Sequence, residues 1–137
     1  MTNKKFLWID NNIEEFSHSS SYIAVLERYG YSIETIESVY DAVLKLNNVY
    51  DATFLNPYSL TGGDKLLDYP DVPKDFIKND YALGLWTYEK ILKSCNANKP
   101  IFLLDTSLER SPENFRKVKE LIDQRQLTRY INLRKNL

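Results

Sequence analysis

The chain has 137 residues, 43% of them hydrophobic and 27% charged, with a formal net charge of -1; this is the make-up of one globular domain and excludes disordered, collagenous and coiled-coil chains. The basic residues are scattered, so the electrostatic footprint of a nucleic-acid-binding surface is missing, and no stretch approaches the roughly 20 apolar residues of a membrane span. Cys95 is the only cysteine, which leaves no internal disulfide, and the polar start from Met1 to Lys5 holds no apolar signal segment; both point to a cytoplasmic protein.

Phe6 to Ile9 is a short, continuous apolar run, the pattern of a strand covered on both faces of a parallel sheet. It stops at Asp10-Asn11-Asn12. Asn12 with Glu15 three positions later forms a capping box, and Ile13, Phe16, Ile23 and Leu26 recur at helical spacing until Gly30. Tyr31 to Ile36 alternates like a second strand, and Ser38 is the expected cap of a helix that carries Val39, Val43 and Leu46 on one face. Ala52 to Leu55 predicts the third strand, stopped by Asn56-Pro57 because proline cannot donate to a ladder.

The segment from Thr61 to Asp80 breaks this rhythm with Gly62, Gly63, Pro70, Pro73 and five aspartates. It reads as a loop insertion within a single domain spanning 1–137. Tyr58, Tyr69 and Phe76, in or beside it, are expected to be exposed and available to a partner. Asp80 is the expected cap of a third helix with Tyr81, Leu85, Tyr88 and Leu92 on its buried stripe. Pro100 to Leu104 predicts the fourth strand, ending at Asp105-Thr106. Ser111-Pro112 starts a further helix with Phe115, Val118 and Ile122 at core spacing, and Tyr130 to Leu133 predicts the fifth strand. Strands alternating with helices of this length argue for βαβ units around a parallel sheet.

In such sheets ligands bind beyond the carboxyl ends of the strands, and here those ends present Asp10-Asn11, Asn56 and Asp105-Thr106. Together with the runs Lys5 to Asp10, Tyr50 to Asn56 and Pro100 to Thr106, they resemble the receiver domain of two-component response regulators. The resemblance implies a flavodoxin-like three-layer sandwich with the five strands in the order 2-1-3-4-5. Only Arg134 to Leu137 follow the fifth strand, so the fifth helix of that fold is expected to be missing or replaced. Apolar side chains of Phe6 to Ile9 and of Ile131 or Leu133 would then lack their usual cover near strands one and five, and are expected to be covered by a second copy, by residues beyond 137 if the chain is a fragment, or by the long loop folding back.

The resemblance also implies roles at the strand ends. Asn56 takes the place of the aspartate that accepts phosphate, and an amide cannot form an acyl-phosphate. Asn11 stands at the second acidic position. Asp105 or Thr106 takes the switch position, and Arg134 or Lys135 stands in for the family's lysine just past Leu133. The receiver-like pocket is therefore Asp10, Asn11, Asn56, Asp105, Thr106, Arg134 and Lys135. No catalytic residue and no cofactor are expected, and magnesium binding is expected to be weak, with Asp10 and Asp105 as its candidate ligands.

The function implied is a pseudo-receiver, a regulatory protein-interaction module in signalling that works without phosphoryl transfer. The alternative is a metal-assisted phosphate-ligand sensor or hydrolase using Asp10 and Asp105. His18, the only histidine, has no metal-ligand or nucleophile spacing and reads as a solvated helix residue. No GxSxG elbow, P-loop or GxGxxG motif is present.

Overall fold

The computed structural model of the chain describes residues 4–11, 18–56, 68–72, 80–105 and 128–132. The strands are β1 (Lys5–Ile9), β2 (Ser32–Ile36), β3 (Ala52–Leu55), β4 (Ile101–Asp105) and β5 (Thr128–Asn132); the helices are α1 (His18–Arg28), α2 (Val39–Lys45) and α3 (Asp80–Leu92). The strands form one sheet in the order β2-β1-β3-β4-β5, every neighbouring pair parallel. This is the doubly wound order expected for a flavodoxin-like receiver fold. The helix expected from Ser111 to Ile122 lies outside the described residues. β5 begins two residues earlier than its apolar run because the ladder to β4 takes in Thr128 and Arg129, opposite Ile101 and Phe102.

Alternation along the strands sends side chains to two different cores. On one face Leu7, Ile9, Leu55, Ile101 and Leu103 pack with Val39, Ala42 and Leu46 of α2 and with Leu83, Tyr88 and Ile91 of α3. On the other, Trp8, Phe54, Ala52 and Leu104 pack with Ile23 of α1, and Phe6, Tyr22, Leu26 and Phe102 lean on them. The second face is an aromatic stack, with Phe54 between Trp8 at 4.8 Å and Phe102 at 4.9 Å, both nearly parallel to it. Leu7, Trp8 and Ile9 are fully buried. The expected bare face at β1 is therefore absent, because α1 lays Tyr22, Ile23 and Leu26 over it; the side chains of Ile131 and Leu133 lie outside the described residues.

Local signals account for the element ends. Gly30 takes φ 93, a left-handed turn that favours glycine, and closes α1 with Tyr31 N–H donating to the Leu26 carbonyl at 3.3 Å. Ser38 has the extended backbone of an N-cap, but its side chain makes no capping hydrogen bond. The caps Asn12 and Glu15 lie outside the described residues. In α3 the expected stripe is rotated: Leu83, Trp86, Thr87, Tyr88 and Ile91 are buried, while Leu85 and Leu92 are only half-buried. α3 is apolar over most of its circumference, so its spacing fits more than one stripe.

The rotation has a partner in the inserted segment. Val72 is buried in the α2/α3 core, and Tyr69 packs edge-on between Tyr40 at 6.2 Å and Trp86 at 5.6 Å. Tyr69 is therefore half-buried rather than displayed; Tyr58 and Phe76 lie outside the described residues. Lys90 holds the segment by an ion pair to Asp71 at 2.8 Å, with its ammonium 5.1 Å from the Trp86 ring. That pairing lowers the Asp71 pKa.

Two polar stitches hold the opposite end of the sheet. Asn96, fully buried, accepts from Tyr50 N–H at 2.7 Å and donates to the carbonyls of Leu46 and Asn48 at 3.3 and 2.8 Å. Buried Tyr50 donates its hydroxyl to Glu34 at 2.5 Å, and Lys45 and Lys5 pair with the same carboxylate at 2.9 and 3.6 Å. The Tyr50 hydrogen bond, ahead of Lys45, holds Glu34 below its ordinary 4.5; burial and then the Glu34 contact push Tyr50 up to about 12.

The signs set two stability windows. The Glu34 contribution is present above 4.5 and is lost as pH falls through its lowered value. The Tyr50 contribution is complete below 10 and is lost as pH rises from there towards 12. Tyr50→Phe should cost about 1–2 kcal/mol at neutral pH and flatten the alkaline limb of stability. Urea unfolding across a pH series checks this; an unchanged alkaline limb in the variant would remove Tyr50 from the account.

Candidate functional site

Backbone ladders place the polar residues at the carboxyl edge of the sheet. Asp10 follows β1 and donates its N–H to the Ile36 carbonyl at 3.0 Å; Asn56 follows β3 and donates to the Ile9 carbonyl at 2.9 Å. Because Asp10 is two residues past Trp8 and Asn56 two past Phe54, both side chains fall on the α1 side of the sheet. They are buried at 0% and 2% exposure.

A buried carboxylate is costly unless hydrogen bonds satisfy it. Three described side chains donate to Asp10. Asn56 Nδ2 donates to Oδ1 at 3.1 Å, Trp8 Nε1 donates to Oδ2 at 3.3 Å, and the Ser19 hydroxyl donates to the same Oδ2. The orientation of the Asn56 amide follows from the contact, since turning its oxygen towards a carboxylate would set two acceptors against each other. Both Asp10 oxygens are thus engaged by protein donors. Beside them the Asn11 amide oxygen is buried and has no hydrogen-bond partner.

The structure therefore brings together Asp10, Asn11 and Asn56 of the expected pocket. Asp105 ends β4 opposite Asn132, and the register that pairs Leu55 with Leu103 sets it one residue further along than Asn56. The Asp105 side chain, Thr106, Arg134 and Lys135 lie outside the described residues, as does the His18 side chain.

A hard cation needs carboxylate oxygens free to coordinate, and Asp10 has both of its own turned to N–H and O–H donors. A cation at Asp10 would have to share or displace these donors. Among the described residues no cluster of three or more His, Cys, Asp or Glu could hold a metal, and no helix is long and apolar enough to cross a membrane.

Ser19 was not apparent from sequence, although a signal exists. Residues 19, 23 and 26 share one helical stripe, and a serine that continues the line of Ile23 and Leu26 must bring its hydroxyl to a buried acceptor. Its place in the run Ser17-His18-Ser19-Ser20-Ser21 masks that signal.

Comparison with known proteins places this architecture. No protein-family model matches the chain, and no curated protein matches it. Solved structures do. The receiver domain of the sensor histidine kinase PA1611 from Pseudomonas aeruginosa PAO1, which has a magnesium ion coordinated in its active-site cleft, superposes with a TM-score of 0.54 at 19% identity. That match covers 92% of this chain and 95% of the other. The N-terminal domain of a response regulator/sensory box/GGDEF three-domain protein from Carboxydothermus hydrogenoformans gives a TM-score of 0.53 at 18% identity, over 90% of this chain and 91% of the other. A fusion that carries a yeast Spc42 trimeric coiled-coil segment gives 0.59 at 20% identity, over 96% of this chain and 69% of that one. The chain has the CheY-like receiver fold.

The clasp makes a stability prediction. Ser19→Ala should cost about 1–2 kcal/mol, and Asp10→Asn more, about 2–4 kcal/mol, because an amide at position 10 must turn an N–H group towards one of the three donors. Thermal or urea melts measure both. Equal, negligible losses would mean that the hydrogen bonds do not hold the edge together.

Proposed function

We propose that the chain is a phosphorylation-independent pseudo-receiver, a non-enzymatic regulatory module that signals by binding another protein. The supporting observation is the Asn56 amide at the position that follows β3, donating to Asp10 at 3.1 Å. Phosphoryl transfer to this position needs a carboxylate nucleophile, and acceptance of a phosphoryl group needs a cation to neutralise it. The amide supplies no nucleophile, and its N–H occupies the carboxylate oxygen that a cation would require. The magnesium of the Pseudomonas aeruginosa receiver domain belongs to that protein's cleft; here the corresponding charge balance is met by internal hydrogen bonds. The scattered charge and absence of nucleotide motifs support a protein partner over a nucleic acid.

Incubation with acetyl phosphate and magnesium should leave the intact mass unchanged. A base-labile phosphate adduct mapped to Asn56 or Asp10 would overturn the reading. The second arm tests the clasp itself. Asn56→Asp sets a second carboxylate beside Asp10 and should lower stability by about 2 kcal/mol in chelator. Magnesium should restore much of that loss, more fully with Asn11→Asp added, while leaving the unchanged protein's melt where it was. A magnesium-dependent rise in the melt of the unchanged protein, removed by Asp10→Ala, would favour a metal-dependent sensor or hydrolase instead.

A further inference from the structure

α2 and α3 leave between their C-terminal ends a cleft of about 370 Å³, lined by Val43, Leu46, Lys90, Lys93, Ser94 and Cys95 together with Asn47. Its floor is aliphatic. Two exposed apolar residues neighbour its lining positions in sequence: Leu44, 47% exposed, beside Val43, and Val49, 63% exposed, two past Asn47. Lys90 lies in the last turn of α3 and Lys93 directly follows the helix, and no residue lining the cleft is acidic.

Lysines near a helix C-terminus commonly complement its dipole and terminal carbonyls. Just past α2 the carbonyls are already served: Leu46 O and Asn48 O both accept from Asn96 Nδ2, and the single Cys95 S–H is within reach of either and donates to one of them at a time. The lysines are therefore not consumed in capping α2. Lys90 is paired with Asp71 at 2.8 Å, and Lys93 makes no ion pair among the described residues. The combination is an apolar floor, exposed apolar residues neighbouring its lining in sequence, and positive charge along one wall without a lining carboxylate.

We propose that this cleft docks a segment of a partner protein, which seats an aliphatic side chain on Val43 and Leu46 and brings a carboxylate to Lys93. A peptide segment fits better than a small organic anion because exposed Leu44 and Val49 neighbour the lining residues in sequence, and a small ligand would leave them in water. Lys90 ties this surface to the inserted segment, since the same ammonium forms the cleft wall and holds Asp71. A second carboxylate from the partner exchanges with Asp71 and loosens the contact of Tyr69 and Asp71 with Trp86. The proposal adds a docking surface to the interaction-module reading, at a place remote from the Asn56 clasp.

The test uses the full chain labelled with nitrogen-15 and two synthetic peptides, acetyl-Leu-Glu-Leu-Leu-Asp-Glu-amide and its counterpart with lysine at each acidic position. The acidic peptide should shift the amide signals of Val43, Asn47, Lys93, Ser94 and Cys95, leave Asp10 and Asn56 unmoved, and change Trp86 fluorescence in a Trp8→Phe background. Lys93→Glu should weaken it by about tenfold and remove most of the preference over the basic peptide; Lys93→Gln should reduce the preference by a smaller factor. Lys93 is exposed, so neither change threatens folding. Equal binding of both peptides, or shifts scattered over the surface, would overturn the proposal. Glutarate alone producing the same shifts with the same affinity would also overturn it, by making the cleft a small-anion site. None of these outcomes depends on whether acetyl phosphate modifies the protein, so failure here is separable from failure of the pseudo-receiver reading.

Discussion

The Asp10 carboxylate, buried where β1 meets β3, is the constraint around which the described structure is organised. Left unpaired, such a group would cost several kcal/mol. Its three described donors come from three places: Trp8 from the same strand, Asn56 from the neighbouring strand and Ser19 from the first turns of α1. Satisfying Asp10 therefore fixes the α1 position relative to the sheet. Once Ser19 is there, Ile23 and Leu26, one and two turns on, must fall against Trp8 and the aromatic stack behind it. A polar requirement at the edge thus sets the packing of an apolar face.

The parts legible in the sequence were those where local pattern and tertiary environment agree. The β1 run from Phe6 to Ile9 is continuously apolar because both its faces are covered. Gly30 marks the end of α1 because the turn there needs a positive φ. Asp10 and Asn56 stood out as polar residues arriving directly after buried strands. What escaped the sequence needed knowledge of a distant partner. Ser19 is one serine among several until the Asp10 carboxylate is placed opposite it. Tyr69 and Val72 look like loop residues until Tyr40, Trp86 and Leu83 surround them. For α3, an apolar circumference left its orientation to be decided by what packs on its second flank.

The two faces of the sheet carry different kinds of order. The α1 face is filled by large planar rings, whose stacking at 4.8 and 4.9 Å fixes relative orientation as well as burying area. The α2/α3 face is mostly aliphatic and gains its definition from polar stitches at its rim: Asn96 joining the loops, Glu34 gathering Tyr50 and two lysines, and Lys90 holding Asp71. Of these, the Lys90–Asp71 pair is weaker than buried packing because water reaches Asp71 and screens it. Among the described residues of the inserted segment, Val72 is buried in this core and Asp71 is held by an ion pair that other charges can compete for.

Replacing a carboxylate with an amide at Asn56 changes what the strand-end pocket can do as a switch. Two carboxylates at adjacent strand ends repel, and their geometry is stable only with a cation between them. Such a pair has a built-in dependence on ligand, and a ligand shifts an equilibrium only by its differential affinity for the two states. With Asn56 the contact to Asp10 is a hydrogen bond of 3.1 Å, while the Asn11 amide oxygen beside it is buried without a partner. On the proposed pseudo-receiver reading, the receiver fold is kept while the chemical input that would bias it is removed. Any change of state in this domain must then be driven from a surface where satisfaction is incomplete. Among the described residues the α2/α3 side offers such a surface, where exposed Leu44 and Val49 and a lysine without an ion pair accompany the solvent-exposed Lys90–Asp71 contact.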